Sequence, residues 1–431
     1  MYTQALVVGA LVLLCGASAH AQQGSGADTT ATLLLTRRQA VAEALAHNPQ
    51  LEAARQQVDQ ARARVSEATA LPDPSFSAAI ADETGPTQFG TAGSKALGIG
   101  MTIPFPTKIH LRGAVAGTDV SASEFAYTQS RQLVASQTIQ AYDALLVAQR
   151  HAQDLAEAKR LSDDFLKKTQ ARFNAGTAAK IDVIKAQVEV AQAENDLIAN
   201  EREVSNARAA LNRLLGRVLG ASVQMADTLS VPEAPPPLAV LEQQALAQRP
   251  EVRSLEAQQA GARMATSLAN QYWLPDLSIG VQRDFVRGIT TPYETDIGFS
   301  FPLFFWQHTH GEVAESRHHE MELAATSRDI KAQVSEEVQD AHAAATTALR
   351  QVLYLRDQLL PEARDAYRIA STSYALGGSS ALDVLDAQRT LLDAESQYTD
   401  ALGAANDARS QLELAIGAPL DSISSGDTHE R

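Results

Sequence analysis

A fifteen-residue motif that occurs twice limits what this chain can fold into. Phe173-Asn-Ala-Gly-Thr-Ala-Ala-Lys-Ile-Asp-Val-Ile-Lys-Ala-Gln187 returns 201 residues later as Tyr374-Ala-Leu-Gly-Gly-Ser-Ser-Ala-Leu-Asp-Val-Leu-Asp-Ala-Gln388. Gly176 aligns with Gly377, Asp182-Val183 with Asp383-Val384, and Ala186-Gln187 with Ala387-Gln388. The same offset carries Ala193-Glu194 onto Ala394-Glu395, and Leu211 and Gly216 onto Leu412 and Gly417. In each copy a helical pattern stops at glycine and restarts at once, which reads as a sharp helix–turn–helix reversal. The period is far too long for a solenoid. The chain is one structural half made twice.

Composition agrees with long helices. Of 431 residues, 45% are hydrophobic and only 5% aromatic. Abundant Ala with Gln, Glu, Asp and Arg suits close-packed helical seams better than one large core. The net charge of −15 excludes the clustered Lys and Arg that phosphate backbones need, so nucleic acid is not a partner. An acidic surface favours cations.

Residues 1–21 read as a secretory signal peptide: an apolar run from Ala5 to Leu14, then Ala19-His20-Ala21 as a small-x-small cleavage site. The n-region has no Lys or Arg. The single cysteine, Cys15, falls inside this segment, behind a bulky Leu14 where lipoprotein processing prefers a small residue. Cleavage after Ala21 leaves no thiol chemistry; lipidation of Cys15 is the alternative. No later run reaches the roughly 18 apolar residues of a transmembrane helix, so any membrane insertion must use β-strands.

Residues 22–36 are small and polar and are expected to be a flexible N-terminus. The first repeat, 37–216, begins with a helix that Thr36 can cap and that Asn48-Pro49 interrupts. Helical periodicity continues to Ala70. Leu71-Pro-Asp-Pro74 ends it, and the pattern changes to a β-hairpin over 75–103 with loop chemistry between its strands. A long helix is expected over 108–175, ~67 residues or ~100 Å at the helical rise. Another follows over 178–215, where Ile181, Ile184, Val188 and Ala191 form an a/d seam.

A Pro-rich linker, 217–238, precedes the second repeat, 239–417. Arg249-Pro250 answers Asn48-Pro49, and Leu274-Pro-Asp276 answers Leu71-Pro-Asp73. A β-hairpin over 277–303, a long helix over 307–376 that Pro361 should kink, and a helix over 380–416 complete it. Residues 418–431 read as a disordered tail. In each half, two shorter helices sum to about the length of the long one. They can stack end to end beside it as rods of ~100 Å.

In this order of elements the chain resembles the TolC-like outer membrane factor family over essentially its whole mature length. The Gly-x-x-x-x-x-Asp-Val-x-x-Ala-Gln turns resemble the family's periplasmic tips. Asp383-Val-Leu-Asp386 resembles the segment carrying its acidic gate. Ala-x-x-x-Asn-Pro-x-Leu at 44–51 and Ala-Leu-Pro-Asp-Pro at 70–74 resemble most the heavy-metal branch, serving cobalt-zinc-cadmium or copper efflux. The resemblance implies a mainly α fold with a small β part. It implies a homotrimer whose four strands per chain close a 12-stranded barrel in outer membrane lipid, continued by an α-barrel through the periplasm. It also implies a periplasmic adaptor at the tips, a resistance-nodulation-division pump in the inner membrane, and passive export.

Each candidate residue has a plainer reading beside the functional one. Asp383 and Asp386 can cap and stabilise a helix start, and in a trimer they can also form carboxylate rings that gate or select cations. The first copy keeps Asp182 but has Lys185 where Asp386 would stand. Gly176, Thr177, Asp182, Gly377, Gly378 and Ser379 are helix-turn residues and, on the resemblance, the adaptor-docking tips. Tyr272, Trp273, Phe301, Phe304, Phe305 and Trp306 crowd the strand ends, as core or as a membrane-interface girdle. His308, His310, His318 and His319 are either a polar helix surface or a metal-attracting patch. No phosphate loop or supported catalytic triad is present, so an enzyme and a cofactor are not expected. Export of drugs or other organic compounds is the rival within this architecture. A periplasmic coiled-coil spacer without a pore is the rival outside it.

Overall fold

The computed structural model describes residues 33–81, 94–286, 291–302 and 304–420. The signal-peptide segment, Cys15, the loop at 83–93 and the tail at 421–431 lie outside the described residues. The first half contains β1 (Leu33–Leu35), α1 (Arg37–His47), α2 (Pro49–Thr69), β2 (Ser75–Ala81), β3 (Ser94–Ile103), α3 (Pro106–Asn174), α4 (Lys180–Leu214) and β4 (Val223–Met225). The second contains α5 (Leu238–Gln248), α6 (Pro250–Ala269), β5 (Asp276–Val286), β6 (Tyr293–Ser300), α7 (Phe305–Tyr354), a π-helical turn (Leu355–Leu359), α8 (Leu360–Leu376) and α9 (Ala381–Ile416).

The helices lie side by side in one layer. Beside the upper part of α3 stand α2 and α6; beside its lower part stand α4 and α9. The second long rod, α7 to α8, flanks α6 and α9. Thus α2 stacks on α4 and α6 stacks on α9, each pair forming a column beside a 69-residue or similarly long helix. Asn48 makes the first joint, donating from Nδ2 to the Leu214 carbonyl at 3.0 Å. Repeat symmetry is written into the core: Ala40, Ala44, Leu211 and Leu215 are buried in the first half, and Leu241, Ala245, Leu412 and Ile416 in the second. All four positive-φ glycines of the described residues are repeat mates, Gly176 with Gly377 and Gly216 with Gly417. A side chain at any of them would be strained.

α3 and α9 join the halves along an antiparallel polar seam. Ser136 Oγ lies 3.2 Å from Ser410 Oγ, His151 Nε2 2.9 Å from Asp400 Oδ1, and Thr399 donates to Asp154 at 2.8 Å. Lower down, Gln388 donates to Ser162 at 2.8 Å. Small groups let the two helices approach there.

Three expectations need correction. Residues 22–36 are not flexible throughout: Leu33–Leu35 pairs in parallel with Val223–Met225, and Leu35 is buried. The linker at 217–238 therefore contains a strand. Three-residue strands joined across almost 190 residues leave no local periodicity to read. The expected break at Asn48-Pro49 is present, with Thr36 capping α1, which ends at His47, and Pro49 opening α2. Finally, Ile181, Ile184 and Val188 are exposed, while Val183 and Ala186 are buried instead. The long helix of the second half does deviate near Pro361, through a π turn. Leu360 N–H bonds to the Leu355 carbonyl, one residue further back than in an α-helix. Proline cannot donate and crowds the preceding turn, which the wider turn relieves.

Candidate functional site

Two regions at opposite ends of the rods carry the functional geometry. At one end, the four strands form a single antiparallel sheet in the order β2-β3-β5-β6. Cross-strand partners share a face of a sheet, and neighbours along a strand do not. The register aligns Phe76, Ile99, Val281 and Thr295 on one face, and Met101, Ile279 and Ile297 on the same face. It aligns Ser75, Gly100, Gly280 and Asp296 on the other, with Ser77, Gly98, Gln282 and Glu294. One face is apolar, and the other is small and polar. The apolar face is the exposed one: Phe76 is 83% and Ile297 70% exposed, whereas Gly98, Gly100 and Gln282 are sheltered. That is the reverse of a sheet packed on a water-soluble core. It is the pattern of a barrel with lipid outside and a polar interior. The carboxylates of Asp284, Glu294 and Asp296 all belong to the inner face.

Aromatic side chains gather where this sheet meets the helices. Trp273, Phe301, Phe304 and Trp306 are all exposed, and the Phe304 and Trp306 rings meet edge-on at 5.5 Å. Tyr272 is partly buried, and Lys108 Nζ lies 5.9 Å from its ring centroid. Phe305 begins α7. The junction itself is locked by Lys108, a buried lysine on α3. It donates to the Leu274 carbonyl at 2.8 Å and pairs with Asp276 at 2.9 Å.

His310, His318 and His319 follow on the exposed surface of α7. His319 pairs with Glu322 at 3.1 Å. His310 and His318 stand about 12 Å apart along the helix at the usual rise. Among the described residues, no group of three or more His, Cys, Asp or Glu converges to hold a metal ion. These histidines, with His308 earlier on the same helix, are therefore strung along a rod rather than gathered.

At the far end, both reversals are tight helix caps. Thr177 N–H bonds to the Arg172 carbonyl at 2.9 Å, and Gly378 N–H to the Ser373 carbonyl at 2.8 Å. Ser379 Oγ donates to the Ala370 carbonyl at 3.0 Å. Asp383 closes a reciprocal cap: Ser380 N–H donates to its Oδ2 at 2.8 Å, and Asp383 N–H donates to Ser380 Oγ at 3.3 Å. Hydrogen bonds from the Ser380 backbone and side chain hold the Asp383 carboxyl below its ordinary range. In the first copy Asp182 accepts from Ala179 N–H at 3.2 Å. Asp386 is exposed one turn further on. Capping and an outward charge thus coexist in this segment.

The two tips are stitched by a residue the motif reading missed. Arg172 donates to the Tyr374 carbonyl and lies 4.4 Å from the Tyr374 ring. The Tyr374 ring packs tilted against Phe165, centroids 5.4 Å apart, and its hydroxyl donates to Thr169 at 3.3 Å. The signal was available, since Arg172 departs from the repeat: its mate is Ser373. Above the tips, a groove of about 430 Å³ runs between α4 and α9. An Arg389–Glu189 ion pair at 2.6 Å crosses it, and it is lined by Gln192, Asp196, Gln388 and Asp393.

The model of the outer membrane efflux protein family matches this chain twice, over residues 40–217 and 241–418. The chain belongs to the outer membrane efflux protein family. The efflux protein is therefore a channel component and not an enzyme. It is 24% identical to the cobalt-zinc-cadmium resistance protein CzcC of Cupriavidus metallidurans, over 89% of this chain and 90% of that one. A shorter match, 27% identical over 53% of this chain and 50% of the relative, is to the pyoverdine export outer membrane protein OpmQ of Pseudomonas putida. Among solved structures, CusC superposes with a TM-score of 0.76 at 18% identity, covering 90% of this chain and 94% of that one. The efflux protein thus has the TolC-like fold: long paired helices carrying a small sheet.

Proposed function

We propose that three copies of this chain close a 12-stranded barrel in the outer membrane, continued by a helical tunnel. Through it, heavy-metal cations leave passively in a tripartite system with a periplasmic adaptor and an inner-membrane resistance-nodulation-division pump. The carrying observation is the two-faced sheet, with large apolar side chains exposed on one face and small and polar residues on the other. Its outer strands β2 and β6 each have an unpaired edge, which only closure with further strands satisfies in lipid. The helical layer has matching open edges. On one side α4 exposes Ile184 and Ile198; on the other, α8 exposes Ile369 and α7 exposes Tyr354. Counted from the tips along the helical rise, Ile184 stands near the level of Ile369, and Ile198 near that of Tyr354. Neighbouring copies can therefore cover both edges.

Three features support metal cations as cargo. The polar sheet face carries the carboxylates of Asp284, Glu294 and Asp296 and, among the described residues, no Lys or Arg. The tips present Asp383 and Asp386 as prospective carboxylate rings, which attract cations and can constrict a pore. The relative matched over nearly the full chain is named for cobalt-zinc-cadmium resistance. Export of organic compounds through the same architecture is the second reading, favoured by the similarity to a pyoverdine exporter. In this scheme the tips and the α4–α9 groove receive the adaptor.

A deletion strain decides the cargo. Sensitivity to Zn, Co, Cd or Cu, restored by the gene in trans, is expected. Hypersensitivity confined to detergents and dyes would overturn the metal assignment and leave the channel standing.

A further inference from the structure

Two cations stand on the exposed apolar face of the sheet, without an anion beside them on that face among the described residues. Lys95 on β3 pairs in register with Phe285, and Arg283 on β5 pairs with Leu97 and Tyr293. The two are thus diagonal neighbours, about 7–8 Å apart in such a ladder. Every other described residue of that face is uncharged, while Asp284, Glu294 and Asp296 fall on the opposite face. Both cations sit at the loop end of their strands, away from the helices. A charge at the bilayer centre is strongly disfavoured on a lipid-facing strand, but at the headgroup level it costs little.

Arg283 is held in place. Its guanidinium carbon lies 5.2 Å from the Phe285 ring centroid and 4.9 Å from that of Tyr293. Nη1 donates to Tyr293 Oη at 3.3 Å, while Nε is buried without a partner. A guanidinium has five N–H donors, so most of this fork is unused. Lys95 is exposed one residue inside β3. A planar fork and an ammonium side by side match a phosphate group, and the ring clamp holds the fork ready for it.

We propose that Lys95 and Arg283 form a docking site for the phosphate of a membrane lipid headgroup, in the leaflet at the loop end of the barrel. A lipid rather than a free anion is the occupant because the surrounding face is apolar. Leu97, Phe285 and Tyr293 beside the cations are all exposed, and acyl chains would cover them. The inference rests on the membrane-barrel reading above.

The test uses the full-length protein extracted in a maltoside detergent, with bound lipid counted by native mass spectrometry. The probes are lipid A, its dephosphorylated form, and inorganic phosphate. Wild type should retain the phosphorylated lipid about thirtyfold better than the dephosphorylated one, in line with two basic residues at a membrane surface. Lys95→Gln leaves the ring clamp untouched and should lose part of that preference. Lys95→Gln with Arg283→Gln should abolish it. Equal retention of the two lipids by wild type, or an unchanged preference in the double variant, would overturn the site. Displacement of the lipid by equimolar inorganic phosphate would make it a free-anion site and equally overturn it. If the protein needs detergent for extraction yet shows no preference, only this inference falls. If it extracts in buffer alone, the barrel reading falls with it.

Discussion

Asn48 Nδ2 donates to the Leu214 carbonyl at 3.0 Å while Asn48 Oδ1 accepts from Gln50 N–H at 2.8 Å. One buried amide therefore ends α4 and starts α2, joining two helices into a column. The repeat places Arg249 at the second joint, where it pairs with Glu251 at 2.9 Å and with Glu337. Asn48→Ala removes a helix cap and leaves a buried carbonyl bare, at a cost of about 2–3 kcal/mol. Urea titration should show that loss unchanged by salt. The loss from Arg249→Ala should shrink as ionic strength rises, because Arg249 acts through ion pairs and Asn48 does not.

Asp143 contributes a pH dependence of known sign. It is buried on α3; Arg37 donates to its Oδ1 at 2.5 Å, while Oδ2 has no partner. Burial pushes its carboxyl up to about 6, above the ordinary 3.8 and against the pull of Arg37. A raised folded pKa means the native state binds the proton more tightly than the unfolded chain. The associated stability is complete below pH ~4 and is lost as pH rises to ~6, by about 3 kcal/mol at most. Asp143→Asn cannot lose that proton. Its stability relative to wild type should therefore climb across this window, read as the difference between the two unfolding midpoints. A flat difference would show that Asp143 is ionised throughout.

Asp383 and Asp386 separate capping from gating. Asp383→Asn keeps an oxygen for Ser380 N–H and should retain most of the cap, whereas Asp386 has no capping bond to lose. If the pair forms carboxylate rings, Asp383→Asn with Asp386→Asn should raise single-channel conductance in planar bilayers and reduce cation selectivity. Both values staying at wild-type level would leave capping as the only role.

Ile184 tests the trimer edge. It is 44% exposed on α4, on the stripe with Ile181 and Val188. Ile184→Glu leaves the core pair Val183 and Ala186 in place, so the chain should still fold. Buried between copies, the new charge should dissociate the trimer, seen as a shift to monomer by light scattering in detergent. A trimer that persists would place the subunit contact elsewhere.

Much of this architecture was written locally. The glycines of the repeat demand positive φ at both reversals, Asn48-Pro49 and Arg249-Pro250 force breaks, and unbroken helical periodicity between them sets the rod lengths. The acidic tip was legible for the same reason, since a cap and its carboxylate are three residues apart. The two-faced sheet was only half legible. Glycine and serine blur the alternation along any single strand, and the faces separate cleanly only when four strands are set in register.

The sequence by itself thus determined the duplication, the helix boundaries, the reversals and the family, because each rests on backbone preferences within a few residues. Tertiary structure decided the rest. It paired Leu33–Leu35 with Val223–Met225 and bridged the tips through Arg172 and Tyr374. It turned Ile181 and Ile184 outward and set Lys95 beside Arg283. Those relationships join residues distant in the chain, and a periodicity reports only which face a residue occupies, never which element will cover it.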